Sequence, residues 1–161
     1  YGEEEGIKVW LERQERWQDS LNKNGNFKMG YSKISQELFD ILSSIIGKDS
    51  CQYATNKGEF RLRKSENKGV WLYDFKYKNK IIEYQGDMYH ANPDVYGSND
   101  HPHPFRKELT SEDIWEKDKL KKEVCEQNGY NILYIWDSEL RRVGKVNKAK
   151  LVQKCIDFLL S

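Results

Sequence analysis

Long apolar runs are missing from this sequence: no stretch of about 18 apolar residues occurs, so no segment reads as a membrane-spanning helix. Proline and cysteine are scarce, at three each among 161 residues, which excludes collagen-like chains and disulfide-framework scaffolds. Cys51, Cys125 and Cys155 are odd in number, far apart and without a C-x-x-C, and read as reduced core thiols. An excess of one charge is missing too. Lys and Arg number 27 against 26 Asp and Glu, a net of +1 that speaks against gripping a polyanion by bulk charge but is silent about local patches. What is present is a 33% charged, 13% aromatic composition. That is the make-up of a globular chain, long enough to bury a core of its own.

Residues 3–20 are rich in charge and helix formers, with Val9, Trp10 and Trp17 as apolar points, and predict an N-terminal helix followed by a turn-prone link at 22–26. Ser32 is placed to cap a second helix that Gly47 ends. In it Ile34, Leu38, Ile41, Leu42, Ile45 and Ile46 recur at helical spacing. Glu37 falls in that stripe, either at the rim of the buried face or held there for a purpose. Residues 59–86 predict strands with short turns: 70–76 is apolar on both faces like a central strand, and Lys78-Asn79 turns the chain into a strand opening at Ile81. A long loop over 91–110 holds all three prolines. A helix over 110–128, a strand over 131–136 and an amphipathic helix over 148–160 complete the order. Residues 1–30 therefore form a helix and linker, and 31–161 a single α+β domain.

The chemistry gathers between Asp74 and His90. With a turn at Lys78-Asn79, Asp74 stands opposite Glu83, their Cβ atoms about 4.5–5.5 Å apart. Facing carboxylates are destabilising unless a cation or a shared proton lies between them, and a hard cation such as Mg2+ suits such a place. A three-residue loop would instead offset the pair and leave one acid in water. His90 follows where the second strand ends. Asp118 shares helical spacing with Ile114, Lys121 and Cys125, so it faces inward and needs a partner. A His held by an Asp is the usual general base. His101 and His103 read as surface residues.

These residues carry a resemblance. Asp74, Gln85-Gly86-x-x-Tyr89-His90, Asp118 and Gly129-Tyr130-x-Ile132-Leu133-x-Ile135-Trp136 are similar to the very-short-patch-repair mismatch endonucleases. They resemble more closely the phage intron homing endonucleases of EDxHD type, a branch of the PD-(D/E)xK nucleases. The resemblance covers about residues 31–140 and implies a PD-(D/E)xK nuclease-like core, a small mixed β-sheet flanked by helices. It implies Mg2+ on Asp74, helped by a group from Glu83 or Tyr84, with His90 activating water, Asp118 orienting His90, and Glu37 supporting the site. Gln85 would stand at the lysine position of the (D/E)xK element. The partner would be double-stranded DNA, cut by a possible homodimer in the cytoplasm of a bacterial host. Because a homing enzyme needs a long target and the chain opens on Tyr1, a DNA-binding region upstream is expected.

The short-patch enzymes carry a structural zinc. Here the matching positions are Asp87, Asn92, Asp94 and Ser138, so no zinc is expected. Met88-Tyr89 stands where those enzymes have an all-aromatic pair, which weakens a mismatch-nicking alternative. A non-catalytic DNA-binding module on the same fold is a further alternative, disfavoured by the intact Asp74, His90 and Asp118. Local basic runs at 57–80 and 141–154 are the candidate phosphate contacts, and Trp115 and Tyr96 candidate groove contacts.

Overall fold

Apolar spacing decides which faces meet in the computed structural model, which describes residues 32–64, 69–141 and 145–161, with backbone alone at 141 and 145–148. The helix expected over 3–20 lies outside the described residues. Helix α1, Lys33–Ile46, buries Ile34, Leu38, Phe39, Ile41 and Leu42 along one side. Gly47 ends it at φ +125°, a backbone region that glycine alone enters freely. Ser32 occupies the cap position, but its side chain makes no cap bond; the Ser35 hydroxyl bonds back to the Ser32 carbonyl instead, at 2.7 Å.

The fold is mixed α+β: a four-stranded sheet, a separate two-stranded ribbon, and helices on both faces. The strands are β1 (Cys51–Tyr53), β2 (Phe60–Arg63), β3 (Val70–Tyr73), β4 (Phe75–Tyr77), β5 (Lys80–Gln85) and β6 (Asn131–Trp136). In the main sheet the order is β1-β4-β5-β6, with β5 and β6 parallel and the other pairs antiparallel; β2 pairs only with β3. Parallel neighbours need a crossover, and here it is the loop 86–110 with helix α2, Ser111–Gln127. A reciprocal capping box starts α2. Thr110 Oγ1 accepts from the Asp113 amide at 3.2 Å, and Asp113 Oδ2 accepts from the Thr110 amide at 2.9 Å. A short helix α3, Asp137–Arg141, and the terminal helix α4, Lys145–Leu160, follow β6.

Two expectations change. Residues 70–76 are not one central strand: the chain breaks at Asp74, with β3 in the ribbon and β4 in the main sheet. The cause is polar. Asp74 and Tyr84 give their amide protons to carboxylate side chains across the junction, and the ladder stops there. Strand β1, in turn, was not expected, because three residues are too few to display an alternation.

The main apolar core lies on one sheet face, where α1 and α4 cover β1, β4, β5 and β6. Phe39, Tyr53 and Phe75 pack there with ring centroids 5.1 to 5.9 Å apart. The Tyr53 hydroxyl is not stranded among them: it donates to Asp40 Oδ1 at 2.7 Å and meets Ser43 Oγ at 3.0 Å. Tyr73, Ile81 and Cys125 form a smaller cluster on the opposite face. All three cysteines are buried free thiols. No helix among the described residues is long and apolar enough to cross a membrane.

Phe75 is fully buried at the centre of the ring cluster. Phe75→Ala is expected to lower unfolding stability by about 3–5 kcal/mol, read from the urea midpoint with an unchanged slope.

Candidate active site

Alternation along β5 sends Ile82 and Tyr84 toward α1 and α4, and Ile81, Glu83 and Gln85 toward α2. The turn is at Lys78-Asn79, with Lys78 at φ +49° and Tyr77 paired with Lys80. Continuing the register one step past Phe75↔Ile82 sets Asp74 against Glu83, so the offset alternative is excluded. The two acids are crossed. Asp74 N–H donates to Glu83 Oε1 at 2.9 Å, and Tyr84 N–H donates to Asp74 Oδ2 at 2.8 Å.

Such a pair needs a cation, and α2 supplies one. Lys121 Nζ lies 2.5 Å from Glu83 Oε2 and 4.9 Å over the ring of Tyr73, whose hydroxyl donates to the Lys121 carbonyl. Burial, and then the neighbouring Glu83 charge, push the Asp74 carboxyl up to about 8. Burial also raises Glu83, against the pull of Lys121. One ammonium offsets one carboxylate, so the second acid keeps a proton near neutral pH unless another cation joins it.

Asp118 lies three residues before Lys121 on the same helix, about 4.5 Å of rise away. Its Oδ2 is 2.8 Å from His90 Nδ1. An ionised carboxylate only accepts, so this contact places the proton on Nδ1 and leaves the Nε2 lone pair free in the neutral ring. The His90 side chain is 30% exposed, open enough to meet water. The predicted His90–Asp118 pair and the predicted Asp74–Glu83 pair are thus brought together by one turn of α2.

Sequence reasoning missed Lys121 as a functional group, although its spacing put it on the inward face with Asp118. Gln85 is buried on the Glu83 side of β5, but the ammonium that meets Glu83 comes from α2. Tyr84 offers its backbone. In an extended strand a residue's N–H and C=O point to the same edge, so its carbonyl shares the Asp74 side. The Tyr84 hydroxyl bonds Asp137 Oδ1. Glu37 is partly buried on α1 and is not a free carboxylate. Trp115 does not reach outward as expected: its indole N–H donates to the Ala91 carbonyl at 2.6 Å and braces the loop beside His90. Ala91 is buried and left-handed at φ +48°, so that brace holds a backbone geometry that non-glycine residues rarely take.

Asp87, Asn92, Asp94 and Ser138 are joined by hydrogen bonds. Asp87 Oδ1 accepts from Asn92 Nδ2 at 2.9 Å and Ser138 Oγ at 3.2 Å, and Asn92 Oδ1 accepts from the Asp94 amide at 3.0 Å. His103 uses Nδ1 to accept from the Phe105 and Arg106 amides. Tyr89 and Phe105 are exposed, with ring centroids 6.4 Å apart. In the second basic run Lys154 pairs with Glu139 at 3.2 Å, and the side chains of 141–148 lie outside the described residues.

Among the described residues no group of three or more His, Cys, Asp or Glu is arranged as a metal cage. Mg2+ does not ask for one. It binds through one or two carboxylates and keeps its waters for phosphate exchange. Asp74 fits it: a residue only partly buried, its carboxyl raised in pKa by burial and by a second acid, facing a backbone carbonyl edge. Both Glu83 oxygens are already engaged, so Glu83 orients Asp74 more than it offers itself.

The raised Asp74 carboxyl has a sign. The folded chain holds a proton that an unfolded carboxyl, near 3.9, has released, so stability falls as pH rises from about 4 to 8. Asp74→Asn keeps an acceptor for Tyr84 N–H and removes that charge. In EDTA its melting temperature should fall less than the parent's between pH 5 and pH 8. At pH 8 it should lie higher by about 2–4 °C for each kcal/mol relieved. Parallel melting curves for the two proteins across this range would rule out a raised carboxyl at Asp74. No family model, curated protein or solved structure matches this chain, so the chemistry of the site rests on its own side chains.

Proposed function

We propose that this chain is the catalytic domain of a Mg2+-dependent DNA endonuclease with a PD-(D/E)xK-type core and an EDxHD-type site. The observation that carries this reading is the double tie of α2: Asp118 to His90, and Lys121 to the Glu83–Asp74 pair. Phosphodiester hydrolysis needs a water made nucleophilic and a negative charge neutralised, and these two ties supply the groups for both.

Asp118 fixes the ring so that Nε2 takes the proton from an attacking water, a role worth roughly 10²–10⁴ in rate. Lys121 holds Glu83 as a carboxylate, and Glu83 in turn fixes the Asp74 backbone. Asp74 and the Tyr84 carbonyl would hold Mg2+, supplemented by water. When bound, the ion supplies Lewis-acid stabilisation of the phosphate charge. The lysine of the (D/E)xK element is then replaced in space by Lys121, while Gln85 fills its place in sequence.

The test is plasmid nicking by the full chain in Mg2+ or EDTA. The parent is expected to relax supercoiled DNA only in Mg2+. Asp74→Ala should abolish nicking, and His90→Ala should slow it by roughly 10²–10⁴. Failure of the parent to nick at high enzyme concentration would sink the nuclease reading. A second reading, nicking at mispairs, draws on the exposed rings of Tyr89 and Phe105 near His90. Faster cutting of a mismatched duplex than of its matched counterpart would favour it over homing.

A further inference from the structure

The β2–β3 ribbon leads directly into Asp74 yet takes no part in the main sheet. Its register pairs Phe60 with Tyr73, Arg61 with Leu72, Leu62 with Trp71 and Arg63 with Val70. Cross-strand partners share a face and successive pairs alternate, so the ribbon has two distinct sides. Phe60, Leu62, Trp71 and Tyr73 pack inward with Tyr130, Ile132 and Cys125. Arg61, Arg63, Val70 and Leu72 make the outer side, and all four are exposed.

That outer side is unusual. Arg61 and Arg63 leave the same face of one strand from backbone positions about 7 Å apart, and among the described residues neither has an ion-pair partner. Beside each lies an aliphatic side chain from the partner strand. An apolar protein groove would not suit two exposed arginines, and two aliphatic side chains are too few to anchor the face in a membrane. Charge complementarity selects a polyanion. A two-stranded ribbon fits the major groove, where Arg meets guanine O6 and N7 and apolar side chains meet the thymine methyl.

We propose that the outer face of the β2–β3 ribbon docks in the major groove of duplex DNA, next to the strand that Asp74 addresses. This rests on the nuclease reading for the site. Arg61 and Arg63 are the specificity contacts, and Leu72 and Val70 fill the groove floor beside them. Because β3 runs straight into Asp74, a docked ribbon brings the candidate site against the backbone of the same duplex.

Binding is measured in EDTA, where nothing is cut, by fluorescence anisotropy of the full chain on a labelled guanine-rich duplex and on the same duplex with 7-deazaguanine. The parent should bind the 7-deaza duplex more weakly. Arg61→Ala/Arg63→Ala should lose about tenfold or more in affinity and bind the two duplexes alike. Arg61→Lys/Arg63→Lys should keep the salt dependence of the parent but lose its discrimination, since lysine retains the charge and not the fork. Equal affinity of the alanine variant and the parent would overturn the docking. So would weaker binding by that variant combined with a parent indifferent to 7-deazaguanine, which makes the ribbon a backbone contact only. A parent dimer in sedimentation that Leu72→Ser dissociates would assign the face to a second copy and overturn the proposal. A parent that nicks plasmid while the alanine variant binds normally sinks the docking alone. A parent that neither binds nor nicks sinks the nuclease reading with it.

Discussion

The crossed bonds of Asp74 and Glu83 are the constraint on which the rest of the site depends. Two carboxylates at neighbouring strand positions repel, and burying them without partners would cost several kcal/mol per ion. Here each carboxylate accepts a backbone N–H from the other's strand, and Lys121 neutralises one of them. Three structural facts follow. The strand breaks at Asp74, the ribbon β2–β3 swings out of the main sheet, and α2 must lie where its Lys121 reaches Glu83. The cost of that arrangement sits in the raised proton affinity of Asp74, and binding a cation would relieve it.

The sheet divides labour between its faces. On one, α1 and α4 close a continuous apolar core. On the other, the buried apolar cluster is smaller, Tyr73, Ile81 and Cys125 with the inner side of the ribbon packed on them, and the buried Glu83 lies beside it. Stability therefore comes largely from the first face, which leaves the second free to hold groups that burial alone would not favour. Glu83 stands on β5, Asp74 at the junction of β3 and β4, and Asp118 and Lys121 on one helix, so the rigid elements set their spacing. His90 alone comes from the loop 86–110. That loop is tied to the framework by the Trp115–Ala91 bond, by the Asp87–Asn92–Ser138 contacts, and by the Ser111 amide, which donates to the Asp100 carbonyl at 2.8 Å.

A net charge of +1 would suggest indifference to nucleic acid, yet the charges are not evenly spread. The ribbon carries Arg61 and Arg63 outward without acidic partners among the described residues, whereas acids and lysines on α2 pair within the helix as Lys119–Glu123 and Lys122–Glu126. Balance in total conceals polarity in place. A polyanion senses the local surface within a Debye length, not the sum over the chain.

Periodicity and caps made much of this legible in the sequence. The stripe Ile34–Leu38–Ile41–Leu42 gave α1, Thr110 and Gly129 bracketed α2, and NILYIW was a strand on composition alone. The two-residue turn at Lys78-Asn79 even fixed the register that faces Asp74 with Glu83, because a hairpin turn is local and carries its register with it. Other features were not legible. The strand break at Asp74, the arrival of Lys121 at Glu83 across 38 positions, and the inward turn of Trp115 depend on which elements pack together. Sequence by itself determined most of the elements, the register of the β4–β5 hairpin and the residue types available for chemistry, since those follow from neighbours a few positions apart. Only the tertiary structure decided which cation meets which acid, because that choice is made by the crossover that lays α2 over the sheet, and no local pattern encodes it.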